Sequence, residues 1–158
     1  MKSATPALLL LVACASDAPP PPTTHFEPAG DVKQVMVGIL DPAADVLWNS
    51  VRTIIDTKGT HEYAPRTSEE WGAVWRAALT IAESGNLLMM EGRARDKDRW
   101  MTLSRALLAA GKQAVTAAAT HNPQAVFDAG GQVYEACSAC HAAYALETQP
   151  PADSARGK

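Results

Sequence analysis

The sequence predicts an all-α fold, an antiparallel four-helix bundle, from three observations. Apolar residues recur at intervals of three or four along four separate segments, the period of a helix with one buried face. Two of these segments open on helix-start signals, and short connections suit neighbouring helices that run in opposite directions. No stretch shows convincing strand alternation. At 158 residues, 47% of them apolar and 20% charged, the chain is long enough for one domain with a single core. A formal net charge of -3 argues against a general nucleic-acid binder, which needs a basic surface to neutralise phosphates.

Residues 1–13 read as a signal peptide and stand outside the fold. Lys2 supplies the positive charge, and the apolar run from Ala7 to Ala13 is too short to span a bilayer, which takes roughly 20 apolar residues. Leu11-Val12-Ala13-Cys14 resembles the bacterial lipobox, which predicts a processed chain that begins at Cys14 and is held at a membrane by lipid on that residue. The alternative is an ordinary secretory signal cut after Ala15, with Ala13-Cys14-Ala15 as its cleavage site and no lipid. Either way the chain is exported. Residues 14–28, with Pro19-Pro20-Pro21-Pro22, form a proline-rich linker of polyproline II character.

The helical domain is expected over residues 29–148, followed by a disordered polar tail, 149–158. Its first segment starts at Asp31 and sets Val32, Val35, Met36, Ile39, Leu40, Ala43, Val46, Leu47, Val51, Ile54 and Ile55 along one stripe, ending at Gly59. Asp41-Pro42 predicts a kink or break within it, because proline lacks the amide donor and clashes with the carbonyl four residues earlier; alternatively, Asp41 caps a second helix that has Pro42 at its first position. A polar loop, 57–66, leads to Thr67 and Glu70 at capping-box spacing, where a second helix begins with Trp71, Val74, Trp75, Ala78, Leu79 and Ala82 on its apolar face. Its end falls between Gly85 and Gly92. A third helix runs from about Asp96, carrying Trp100, Leu103, Leu107, Gly111, Ala114 and Ala118 inward, and ends near His121. Asn122-Pro123 starts the fourth, on which Val126, Val133, Cys137, Cys140 and Tyr144 face the core. Gly130-Gly131 weakens that helix and implies a close approach by backbone or cofactor.

The fourth helix holds Cys137-Ser138-Ala139-Cys140-His141, a C-x-x-C-H motif, whose spacing reads as covalent attachment of one c-type haem. Successive helical residues turn by about 100°, so both thiols and the imidazole fall within one arc. Cys137 and Cys140 are then placed for thioethers to the two vinyl groups, and His141 for the iron. Two other readings use the same residues. Zinc needs a fourth ligand, and the remaining histidines, His25, His61 and His121, form no paired motif. A thioredoxin-like redox pair belongs beside a βαβ pattern that this chain lacks. Of the three cysteines, one lies in the lipobox and two in the motif, which leaves none for a disulfide framework.

With its motif in the last helix, and with Val133 to Tyr144 as the strongest stretch, the chain resembles the class II c-type cytochromes, the cytochrome c′ and cytochrome c-556 family. The resemblance implies a four-helix bundle with a C-terminal haem-attachment helix, one haem c, and a sixth iron position facing the first helix. Met36 stands at about that place and is the candidate sixth ligand, with Met89 and Met90 as weaker candidates. A methionine ligand implies a periplasmic electron carrier with redox proteins as partners and no enzymatic activity of its own. A non-ligating residue implies a five-coordinate protein that binds or buffers NO or CO. Two-fold association through the first two helices would also fit the family. The chain departs from the family pattern at Lys33-Gln34, where arginine and glutamine usually stand one position further from the ligand, and at Ala145, where a basic residue is usual.

The other conspicuous residues read more plainly. Trp48, Trp71, Trp75 and Trp100 suit the core or a haem edge, and His61 and His121 suit solvated loops. Arg66, Arg93 and Arg95 are candidates for pairing with haem propionates. No Ser-His-Asp set, carboxylate pair or phosphate loop supports hydrolytic or nucleotide chemistry.

Overall fold

The computed structural model describes residues 26–144; the expected signal peptide, Cys14, most of the expected proline-rich linker and residues 145–158, with the expected tail, lie outside the described residues. The chain is mostly helical with one small two-stranded sheet. In order, it forms α1 (Val32–Val35), a π-helical segment (Met36–Leu40), α2 (Asp41–Ser50), β1 (Arg52–Asp56), β2 (Gly59–Tyr63), α3 (Ser68–Met89), α4 (Arg99–Ala119) and α5 (Pro123–Tyr144). No described helix is long and apolar enough to cross a membrane.

The first helical stretch runs through Asp41-Pro42 without a break. Asp31 caps it: the Asp31 carboxylate accepts from the Gln34 amide at 2.8 Å, and the Asp31 amide donates to the Gln34 side chain at 2.9 Å. Ahead of the proline, the Asp41 amide reaches back five residues to the Met36 carbonyl. This π turn takes up one extra residue, so Pro42 enters at the start of α2, where its missing donor costs little. The phase of the apolar stripe moves with it. Val35 and Leu40, five apart, are both buried, whereas Ile39 and Val46, expected inside, are exposed.

The stripe also ends earlier than expected. Beyond Ser50, residues 52–56 and 59–63 pair as an antiparallel hairpin, with Arg52 opposite Tyr63 and Asp56 opposite Gly59. The β-branched run Thr53-Ile54-Ile55 favours extended backbone. The Asp56 carboxylate accepts the Lys58 amide at 2.7 Å across the turn, and Gly59, at φ +128°, takes a conformation that other residues adopt with strain. All ten strand residues are exposed, so Ile54 and Ile55 are not core residues.

The starts of α3 and α5 match their signals, whereas α4 starts at Arg99, three residues later than expected and with no side-chain cap from Asp98. Thr67 caps α3, its hydroxyl accepting the Glu70 amide at 3.2 Å while the Glu70 carboxylate accepts the Arg66 and Thr67 amides at 2.6 and 3.0 Å. The Asn122 side chain accepts the Ala125 amide at 3.2 Å at the head of α5. The backbone donors from Arg66 and Thr67 lower the Glu70 pKa from its ordinary 4.5. Its carboxylate therefore contributes stability above that value and loses it as pH falls through the lowered one. Glu70→Ala is expected to lower the denaturation midpoint at pH 7, with the gap from wild type closing in titrations carried below pH 4.5.

The core is built chiefly by α3 against α4 and α4 against α5, with α2 on α3 and α5. Its largest fully buried side chains are Trp100, Leu47, Ile81, Leu88, Val74, Val126 and Val133. Between α3 and α4 two glycines allow close approach. A Cβ on Gly111 would lie 2.5 Å from the Ala82 nitrogen, and one on Gly85 would lie 2.8 Å from the Ser104 carbonyl. These helices touch backbone to backbone, and Trp75 and Leu79, expected on the inner face of α3, are exposed instead.

Candidate functional site

Near its C-terminal end α5 carries Cys137, Cys140 and His141, the thiols half-buried and the imidazole exposed. Two adjoining cavities open beside them. The first, of about 240 Å³, has mostly apolar walls that include Leu40, Ala44, Leu88, Leu103, Leu107 and Val133. The second, of about 530 Å³, is lined by Val32, Lys33, Arg95, Trp100 and Tyr144. Cys137 lines the first, while Met36, Cys140 and His141 line both. The π segment thus sets Met36 on the wall of the same space as the C-x-x-C-H motif.

Burial raises the pKa of both thiols, with Cys140 and Asp41 adding to the rise at Cys137 and the Arg95 guanidinium opposing it at Cys140. Both sulfurs are held as neutral thiols at pH 7, a poor state for thiolate redox exchange. No group of three or more His, Cys, Asp or Glu side chains converges on a metal-sized site among the described residues. A haem fits this donor set, because the macrocycle supplies four iron ligands and asks the protein only for axial groups and an apolar slot. Lys33 and Arg95 at the second cavity match its carboxylates in charge.

A cluster at the end of α5 fixes the second cavity's shape. Trp100 and Tyr144 meet edge to face, ring centroids 5.0 Å apart. The Trp100 indole donates to the Leu88 carbonyl at 2.7 Å. One Asp96 carboxylate oxygen accepts the Trp100 and Asp98 amides at 3.0 and 2.9 Å, and the other accepts the Tyr144 hydroxyl. That bond pushes the Tyr144 pKa up to about 12 and lowers that of Asp96. The last turn of α5 is thereby tied to the start of α4.

Other expected site residues lie elsewhere. Met89 and Met90 line neither cavity. Arg93 is buried and committed to backbone, donating to the carbonyls of Gly30 at 2.8 Å and Leu87 at 3.2 Å, and Arg66 sits at the α3 cap. Arg95 alone of the three arginines lines a cavity and lies over the Trp100 ring at 5.9 Å. Trp48 and Trp100 line the cavities, whereas Trp71 and Trp75 do not. His121 is exposed in the turn between α4 and α5, as expected, and stacks on Trp71, centroids 5.0 Å apart; His61 is exposed on β2 rather than in a loop and pairs with Asp56 at 3.3 Å. The close approach at Gly130 is made by Trp48, whose indole donates to the Gly130 carbonyl at 3.0 Å. Ser104, on the wall of the first cavity, carried no sequence signal beyond an inward helical position.

Comparison with known families, characterised proteins and solved structures finds no match for this chain.

Proposed function

We propose that the chain is a monohaem c-type cytochrome of the class II kind, a four-helix bundle that carries electrons outside the cytoplasm and is anchored to a membrane where Cys14 is acylated. The observation that carries this reading is that Met36, on the first helical stretch, shares its cavities with the C-x-x-C-H residues of the last helix. Cys137 and Cys140 would hold haem c through thioethers, His141 would take the proximal iron position, and Met36 the sixth. Lys33 and Arg95 would pair with the propionates. Bound haem supplies one-electron iron chemistry. The chain's part is to orient that group on a tied helix end, exclude water with Leu40, Leu88, Leu103 and Leu107, and leave the His141 edge open to redox partners.

Absorption spectra of protein expressed with haem-attachment machinery, oxidised and reduced, with and without carbon monoxide, test this. The expected result is haem that survives denaturation and a six-coordinate low-spin spectrum that Met36→Ala abolishes. Protein that retains no covalent haem overturns the reading. A second reading, a five-coordinate protein that binds NO or CO, draws on the apolar first cavity beside Met36, and rapid carbon monoxide binding by the wild-type ferrous protein would select it.

A further inference from the structure

Hydroxyls on the two central helices turn back on their own backbone. Thr80 and Ser84 on α3, and Thr102 and Thr116 on α4, donate to the carbonyl four residues earlier at 2.9, 2.7, 2.9 and 3.1 Å. Ser104 departs from this pattern. It is 1% exposed, and its Oγ is the one fully buried side-chain nitrogen or oxygen without a hydrogen-bond partner among the described residues. A buried hydroxyl left without a partner is costly, and each such group calls for an explanation.

Ser104 lines the first cavity with Met36 and His141. Of the other polar groups there, the Trp48 indole donates to the Gly130 carbonyl, Asp41, Tyr134, Ser138 and His141 are exposed, and the Cys137 and Cys140 thiols are half-buried; none of them bonds to the Ser104 hydroxyl. Lys33 and Arg95 line the second cavity and not the first, so an ionised carboxylate finds its partners away from Ser104. What the hydroxyl can serve is a small neutral acceptor in an otherwise apolar space.

We propose that Ser104 is a positioning residue that donates a hydrogen bond to a diatomic ligand of the CO or NO type, held in the first cavity on the Met36 side. The inference rests on the haem reading, because a haem iron is what would hold such a ligand there. It does not depend on whether Met36 ligates.

The test uses the Met36→Ala holoprotein, whose sixth position is open in either case, reduced and exposed to carbon monoxide. Infrared spectra and ligand-release rates are compared for this protein and for the same protein carrying Ser104→Ala or Ser104→Thr. A donated hydrogen bond draws electron density from iron into the C–O bond and weakens it. Ser104→Ala is therefore expected to raise the C–O stretching frequency and to speed release by about 2- to 10-fold, the factor of one net hydrogen bond. Ser104→Thr, which keeps the hydroxyl, is expected to retain both parent values. A haem-loaded protein whose C–O frequency is unmoved by Ser104→Ala overturns this inference alone. Wild-type protein purified without covalent haem overturns the haem reading and the inference together.

Discussion

Gly111→Val is expected to lower the unfolding free energy by about 3 kcal/mol, the upper end of the usual cost of overpacking. A Cβ at this position would stand 2.5 Å from the Ala82 nitrogen and 2.6 Å from its Cα, atoms of a neighbouring helix backbone that no rotamer change can move aside. Relief requires α3 and α4 to separate along the most extensive contact between described helices. Such a loss is a large share of the roughly 5–15 kcal/mol that holds a domain folded. Gly131 is the control. It is exposed on α5 with nothing within 4 Å of a built Cβ, so Gly131→Ala gains helix propensity without a clash and should stabilise by about 1 kcal/mol. Urea unfolding of the two variants measures both, and a Gly111→Val protein as stable as wild type would refute the close-packed seam.

The second large effect belongs to Trp100. Trp100→Ala is expected to cost about 3–5 kcal/mol, the range for truncating a buried aromatic. The indole is 2% exposed and joins three elements: the end of α3 through the Leu88 carbonyl, α4 on which it stands, and the last turn of α5 through the Tyr144 ring. Trp100→Phe keeps an aromatic edge for Tyr144 but leaves the buried Leu88 carbonyl without its donor, an omission worth about 1–3 kcal/mol. Thermal and denaturant midpoints of wild type, Trp100→Phe and Trp100→Ala should therefore fall in that order. Equal midpoints for the two variants would assign the whole effect to the hydrogen bond and none to packing.

What could be read from the residues was governed by how local the determining interactions are. The starts of α3 and α5 were legible because Thr67 with Glu70, and Asn122 with Pro123, satisfy exposed amides within a single turn. The grouping of Cys137, Cys140 and His141 on one face follows from helical geometry alone. The π turn was not legible, since it comes from fitting Pro42 into a continuous helix, and it carried Ile39 and Val46 out of the predicted stripe. The hairpin escaped because Ile54 and Ile55 happened to extend a spacing of three and four, although Thr53-Ile54-Ile55 and the Asp56 to Gly59 turn held its signal. The commitment of Arg93 to Gly30, 63 residues away, and the partnerless hydroxyl of Ser104 are tertiary facts with no local signature.

The hairpin's exposure also bears on how the chain comes apart. A two-stranded ribbon without a buried face is marginal by itself, and its ladder can open without disturbing a single core side chain. Hydrogen exchange in residues 52–63 is therefore governed by local opening, while amides along the α3–α4 seam wait for global unfolding. The described residues are thus expected to divide into one cooperative unit and one appendage that frays independently of it.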